Sequence, residues 1–465
     1  PRSGGCAART PGMTESPRNE SYLTEPVPGT GGRLRTEDDD FRVEEIPLKP
    51  PEGLGDHLYL RLEKRGLPTL EAVRAIARLA GVDEKDIGYA GLKDARAVTL
   101  QWISALAPGS GAERKLASAR LPEGLRITEV KRGRAKLRRG DLLGNRFDIR
   151  VRGVSPGAAD RARETLAALT ERGVLNAYGE QRFGVRGNSA EVGRALVLGD
   201  WAGALAHLFG SSPVEAEKNS RSAEAARRFG AGDLAGALRL YPEGWKAERR
   251  VLTALMAGVA PEKALKAIPR RERVLFASAL QSAIFNACLA RRLDGGACDR
   301  LLSGDVLFSH KSGKIRRIGD PGKEAAALAR FDVSPAGPLV GEKMLEARGE
   351  PGEMEADALR VLGLDRGALN KGLARMGVRG GRRPYRARLR VEGVSAEGGD
   401  LRLRFELPPG AYATEVLREV MKVESPGGAR YYLREVNLQE APSREILCQE
   451  TLCRESPRTI DVGGA

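Results

Sequence analysis

Period-two alternation on both sides of a long helical stretch restricts the fold of this chain more than any other feature. From His57 to Lys64, Leu58, Leu60 and Leu62 fall on one face and Tyr59, Arg61 and Glu63 on the other. That is the pattern of a half-buried strand. It returns at Phe147, Ile149 and Val151, and far along the chain at Tyr385, Ala387, Leu389 and Val391 and at Leu401, Leu403, Phe405 and Leu407. Val98 to Ile103 reads as another strand. Between these sets, from Ala190 to about Arg300, the chain is Ala-, Leu- and Arg-rich at helical spacing, broken by Gly230-Ala231-Gly232-Asp233 and Pro242-Glu243-Gly244. Shorter helices are expected after Thr69, a candidate cap, with Gly81 at the C′ position, and over residues 158–171.

A chain of 465 residues exceeds one typical core, so two domains are expected. Lys and Arg outnumber Asp and Glu by 77 to 62, a net charge of +15. Such an excess suits a polyanionic partner, nucleic acid before membrane, through counterion release. The five cysteines are scattered without a CxxC, and with only three histidines no zinc-type cluster is visible. Free thiols fit a reducing compartment, so a cytoplasmic location is expected. No apolar run reads as a membrane span of about 18–20 residues. Residues 1–30 are rich in Gly, Pro, Ser and Thr, carry no apolar signal core, and read as disordered.

The stretch with most chemistry is Ile87 to Trp102. There Gly88 and Gly91 flank Tyr89-Ala90, and a lone carboxylate, Asp94, sits between Lys93 and Arg96. Glycines let the backbone approach a ligand closely. A carboxylate among cations stays ionised and can act as a nucleophile; a solvated turn is the plain alternative. Further on, Lys131, Arg132, Arg134, Lys136, Arg138 and Arg139 make six of nine residues basic, either a solvated face or a phosphate-binding strip. The acidic run Asp38-Asp39-Asp40 reads as a solvated turn rather than a metal site.

These residues fall within ordered motifs. Gly91, Lys93, Asp94, Ala97, Thr99 and Gln101 match G-x-K-D-x-x-A-x-T-x-Q; Asp40, Phe41, Val43 and Glu45 match D-F-x-V-x-E, with the basic Arg35 six places before Phe41. Leu142, Gly144, Asn145 and Phe147 match L-x-G-N-x-F. Asn176-Ala177-Tyr178-Gly179-Glu180-Gln181-Arg182-Phe183-Gly184 is close to N-Y-F-G-E-Q-R-F-G, departing at Ala177 and Tyr178. Ser278 to Asn286 is close to S-A-x-Q-S-x-x-F-N, and Leu407 to Glu419 to L-P-x-G-S-[FY]-A-T-x-x-L-R-E. From Arg33 to Lys422 the chain thus resembles the tRNA pseudouridine synthase D (TruD) family.

The resemblance implies an α/β (α+β) fold: a catalytic core with a mixed, largely antiparallel sheet from residues 32–175 and 383–424, and a mostly helical inserted domain from 176–382. Residues 1–31 would be a disordered segment and 425–465 an irregular tail. It implies an isomerase that converts uridine to pseudouridine in transfer RNA, typically uridine 13, as a monomer with no cofactor, metal or membrane. Asp94 would be the nucleophile, at ribose C1′ or base C6, with Arg35 and Lys93 keeping the pocket cationic. Phe41, Phe147 and Tyr412 would enclose a flipped uracil. Asn145, which carries both a donor and an acceptor, would read its edge or cap a backbone group. The basic run Lys131–Arg139 would engage RNA phosphates. Two other classes remain open at this point: a catalytically silent RNA-binding protein or chaperone on the same scaffold, and a metal-dependent nuclease.

Overall fold

The computed structural model describes residues 22–93, 97–107, 109, 111–184, 186–210 and 221–423. The alternating segments form the strands β1 (Phe41–Pro47), β2 (His57–Arg65), β3 (Ile87–Tyr89), β4 (Val98–Leu106), β5 (Leu125–Gly133) and β6 (Leu142–Val151). After the short β7 (Val174–Leu175) come β8 (Val306–Ser309), β9 (Ile315–Arg317), β10 (Val333–Leu339) and β11 (Gly381–Pro384). The last strands are β12 (Arg386–Ala387), β13 (Arg390–Glu397) and β14 (Asp400–Leu407).

An eight-stranded sheet runs in the order β13-β14-β6-β1-β4-β2-β5, with β3 paired to β4 beside that path. Only the β1–β4 pair is parallel among its ladders. The sheet is mixed and largely antiparallel, as the resemblance implied. Strands on either side of the helical stretch share it: β14 lies on β6 from Leu401 opposite Val151 to Leu407 opposite Asn145. Leu58, Leu60 and Leu62 are buried against the helix Thr69–Ala80 in one apolar cluster. Gly81 closes that helix in the left-handed region at φ 71°, where the missing Cβ removes the strain. Pro68, not Thr69, occupies the N-cap position.

The long middle stretch is helical as expected and includes Ser189–Leu198, Trp201–Phe209, Arg221–Gly230, Leu234–Leu240, Lys246–Met256 and Arg270–Asp294. The last of these corrects one expectation. By length and composition it is apolar enough to cross a membrane, yet 61 % of its apolar window is buried inside the protein, as in a core helix. Val333–Leu339, which carries two prolines and no alternating strand pattern, nevertheless supplies β10 of an antiparallel four-stranded sheet ordered β11-β10-β8-β9. Its prolines cannot donate, but their carbonyls still accept, and Tyr385 donates its N–H to Pro335 O at 2.9 Å.

Order also begins earlier than composition suggested. Leu23 and Val27 are buried, and the amides of Leu23 and Thr24 each donate to the Glu419 carboxylate at 2.9 Å. One leucine and a distant carboxylate hold this polar segment, which no local pattern reveals. The expected tail from 425 lies outside the described residues.

Cys288 and Cys298 are free and buried. Burial pushes the Cys298 thiol up to about 12 and the Cys288 thiol still higher, so the reactive thiolate is scarce. In the folded protein at about pH 8 both are expected to alkylate roughly 10³-fold more slowly than an exposed thiol. Peptide mapping after timed iodoacetamide labelling, with and without urea, checks this; fast native labelling would mean an open core.

Candidate active site

The loop after β3 is tied down before it reaches Asp94. Lys93 donates its backbone N–H to Thr69 Oγ1 at 2.9 Å, and Thr69 donates in turn to Gln101 Oε1 at 2.9 Å. Gln101 Nε2 donates to Gly91 O at 3.2 Å. The hydroxyl expected to cap a helix therefore braces the Gly91–Lys93 backbone from the start of that helix, and Gln101 does so from β4. Asp94 and Arg96 lie outside the described residues.

Three motifs meet at the Lys93 side chain. Its ammonium lies 3.2 Å from Glu45 Oε2 in an ion pair whose side chains are only 7 % and 1 % exposed. It also donates to Asn145 Oδ1. Glu45 comes from β1 and Asn145 from the facing position of β6. Burial lowers the proton affinity of Lys93 and raises that of Glu45, each opposed by the other's charge. An ammonium can only donate, so Lys93 fixes the Asn145 amide with its oxygen inward and leaves the Nδ2 donors for another group.

Arg35 is a non-glycine residue at φ 55°, a left-handed conformation that costs about 1–3 kcal/mol and often marks a functional segment. Its guanidinium carbon lies 4.4 Å from the centre of the Phe41 ring. Phe147 is buried, edge-on to Phe41 at 6.3 Å and stacked on Phe405 at 5.4 Å. Phe41 and Phe147 thus fill the inner face of the sheet, and Arg35 covers one face of Phe41.

The basic run is less free than its composition implied. Lys131 pairs with Glu129, Arg132 with Glu113 and Arg134 with Glu52, at 2.9, 2.8 and 3.0 Å. Lys136 donates to Lys85 O. Arg138 and Arg139 are exposed, and among the described residues neither guanidinium has a carboxylate partner, although the Arg138 backbone N–H donates to Asp141 Oδ2 at 2.7 Å; Arg139 donates to Tyr89 Oη at 3.2 Å. The acidic run is not simply solvated: Asp39 is bonded to Arg65, and the buried Asp40 accepts from Arg152 at 2.8 Å.

Tyr412 lies at the N-cap of the helix Ala413–Met421. Arg383, on β11, lies 4.1 Å above the Tyr178 ring and donates to Asn176 O at 3.0 Å and Gly410 O at 2.7 Å. Arg182, 5.7 Å from the same ring, donates to Ser282 Oγ at 3.0 Å. Burial raises the Tyr412 phenol above its usual range, opposed by the charges of Arg383 and Arg182. Three motifs far apart in sequence and the strand β11 meet here. Glu45, Arg182 and Arg383 were not singled out as site residues from the sequence. Glu45 had a signal: it shares the buried face of β1 with Phe41 and Val43, where an unpaired carboxylate is costly.

The family model described as tRNA pseudouridine synthase D (TruD) matches residues 18–420. Among curated relatives, the tRNA pseudouridine synthase D of Geobacter sulfurreducens is 45 % identical over 413 residues, covering 88 % of this chain and 98 % of that one. The protein of the same name from Geobacter metallireducens is 44 % identical over 408 residues, covering 87 % and 98 %. A crystal structure from Methanosarcina mazei, presented as that of a tRNA pseudouridine synthase D, superposes with a TM-score of 0.71 at 29 % identity, covering 87 % of this chain and 96 % of that one.

Proposed function

Since the chain belongs to the tRNA pseudouridine synthase D family, a family of isomerases, we propose that it converts one uridine of transfer RNA, uridine 13 in the D arm, to pseudouridine without a cofactor. The reaction breaks the N1–C1′ bond, turns the base, forms a C5–C1′ bond and releases the C5 proton, with no net redox change. Asp94 is the nucleophile in this reading, and Arg35 and Lys93 are the cations that keep it ionised. Asn145 presents its Nδ2 donor to a pyrimidine carbonyl. Phe41, Phe147 and Tyr412 are the aromatic positions around the extruded base.

The convergence of Lys93, Glu45 and Asn145 carries this reading. Three distant motifs build one buried, charged and polar point immediately before Asp94 in the chain, a cost that a plain surface turn does not incur. Carbodiimide-directed primer extension on a transfer RNA transcript, incubated with the protein in EDTA, tests it. A single new stop reporting position 13 is the expected result. A stop elsewhere changes the target, and strand scission in place of a stop removes the isomerase reading.

The phosphate contacts are assigned to the unneutralised end of the basic run. Replacing Arg138 and Arg139 together by Ala is expected to flatten the dependence of log binding constant on log salt by up to about 1.8, roughly 0.9 per duplex phosphate. Replacing Lys131 and Arg134, already paired within the protein, is expected to change it less. Anisotropy titrations between about 50 and 200 mM salt check both; equal slopes for both variants would return the run to plain surface.

A further inference from the structure

Of the buried arginines around the seam between the large sheet and the helical insertion, some have carboxylate partners, while Arg386 is held by the Ser334 hydroxyl and by backbone carbonyls. Arg382 is bonded to Glu355, and Arg292 makes a two-pronged contact with Asp305 at 2.8 and 2.6 Å. Arg182 and Arg383 are of the second kind, but lie side by side. Their partners are hydroxyls, an amide oxygen and carbonyls, Ser278 and Ser282 for Arg182 and Asn176 and Gly410 among those of Arg383. Both guanidiniums flank the same Tyr178 ring, at 5.7 and 4.1 Å. Each therefore feels the other's charge, and that repulsion adds to burial in lowering the proton affinity of Arg383. Tyr178, Arg182, Arg383 and Tyr412 are nonetheless only half-buried, so the place is open to a ligand.

Two adjacent cations without a carboxylate partner among the described residues, fixed by neutral acceptors and an aromatic face, are costly alone and complementary to an oxyanion with several lone pairs. We propose that Arg182 and Arg383 form a phosphate subsite that grips the RNA backbone beside the target nucleotide, at the seam next to Tyr412. The inference rests on the proposed RNA substrate and adds the place where its backbone is held. The phosphate bridges the insertion, through Arg182 and the serines of Arg270–Asp294, to the turn carrying Gly410 and Tyr412. Backbone binding and base placement are coupled in this way.

The test uses the full chain and a transfer RNA transcript, with Arg182→Gln, Arg383→Gln and the double variant. Loss of one phosphate contact is expected to weaken binding about tenfold near physiological salt and to lower the salt slope by about 0.7–0.9. A transcript with one neutral methylphosphonate next to the target uridine is expected to weaken wild type equally and leave the double variant unaffected. Arg383 also ties the seam together, so if Arg383→Gln lowers the melting temperature, Arg182→Gln carries the test, since it gives up only serine contacts. A native melting temperature with an unchanged salt slope in Arg182→Gln overturns the subsite. So does equal sensitivity of wild type and double variant to every methylphosphonate position. Pseudouridine formation by wild type on the same transcript separates the two claims: no product breaks the functional reading, whereas product with unchanged slopes breaks only the subsite.

Discussion

Replacing Glu45 by Ala is expected to lower the unfolding free energy by about 3–5 kcal/mol, the effect of leaving one member of a buried ion pair without its partner. Lys93 is 7 % exposed and Glu45 1 % exposed, so water cannot take the place of the lost carboxylate. The amide oxygen of Asn145 would be the remaining acceptor of the ammonium among the described residues. Burial already favours neutral lysine, and without Glu45 Lys93 would lose its proton or the loop would open. Lys93→Met should cost a similar amount by stranding Glu45. The double variant Glu45→Leu with Lys93→Met should be less destabilised than either single change, because neither charge is then buried alone. Urea unfolding of the three variants decides the matter. Single variants within about 1 kcal/mol of wild type would mean that the pair is solvated or already neutral.

Asp94→Asn is expected to lower turnover by at least about 10⁴-fold while changing RNA affinity by less than about threefold. The amide has the carboxylate's shape but cannot form the covalent bond to C1′ or C6, so positioning would survive and chemistry would not. Single-turnover assays beside equilibrium binding separate the two effects. A parallel loss of binding and turnover would make the carboxylate a structural or RNA-contacting group instead.

Much of the large sheet was legible because its strands bury one face. The alternation at Leu58, Leu60 and Leu62 dictates which side meets the helix Thr69–Ala80. The joining of β14 to β6 was not legible from periodicity, because pairing across some 250 residues leaves no local trace; the resemblance implied only that residues 32–175 and 383–424 share a domain. Pro335 and Pro338 hid a strand, since a residue without an N–H argues against a ladder even where its carbonyl supports one. At the site, Lys93 and Asn145 were found through their motifs. Glu45 was passed over although its place on the apolar face of β1 announced a buried charge. Arg383 and Arg182 had no comparable signal: in a chain with 77 Lys and Arg, only the tertiary structure separates arginines that have carboxylates from those that do not. For the same reason the sequence overstated Lys131, Arg132 and Arg134, whose partners Glu129, Glu113 and Glu52 include residues well outside the run.

Uridine isomerisation by Asp94 is read out by tritium release from transfer RNA carrying 5-tritiated uridine. Wild type and Asp94→Asn would be compared in EDTA at enzyme concentrations where both bind the RNA. Exchange of the C5 hydrogen accompanies formation of the new carbon–carbon bond and does not depend on strand cleavage. Release by wild type, none by Asp94→Asn, and intact RNA in both are expected. Release by both would remove Asp94 from the chemistry, and RNA bound by wild type without release would contradict the isomerase account itself.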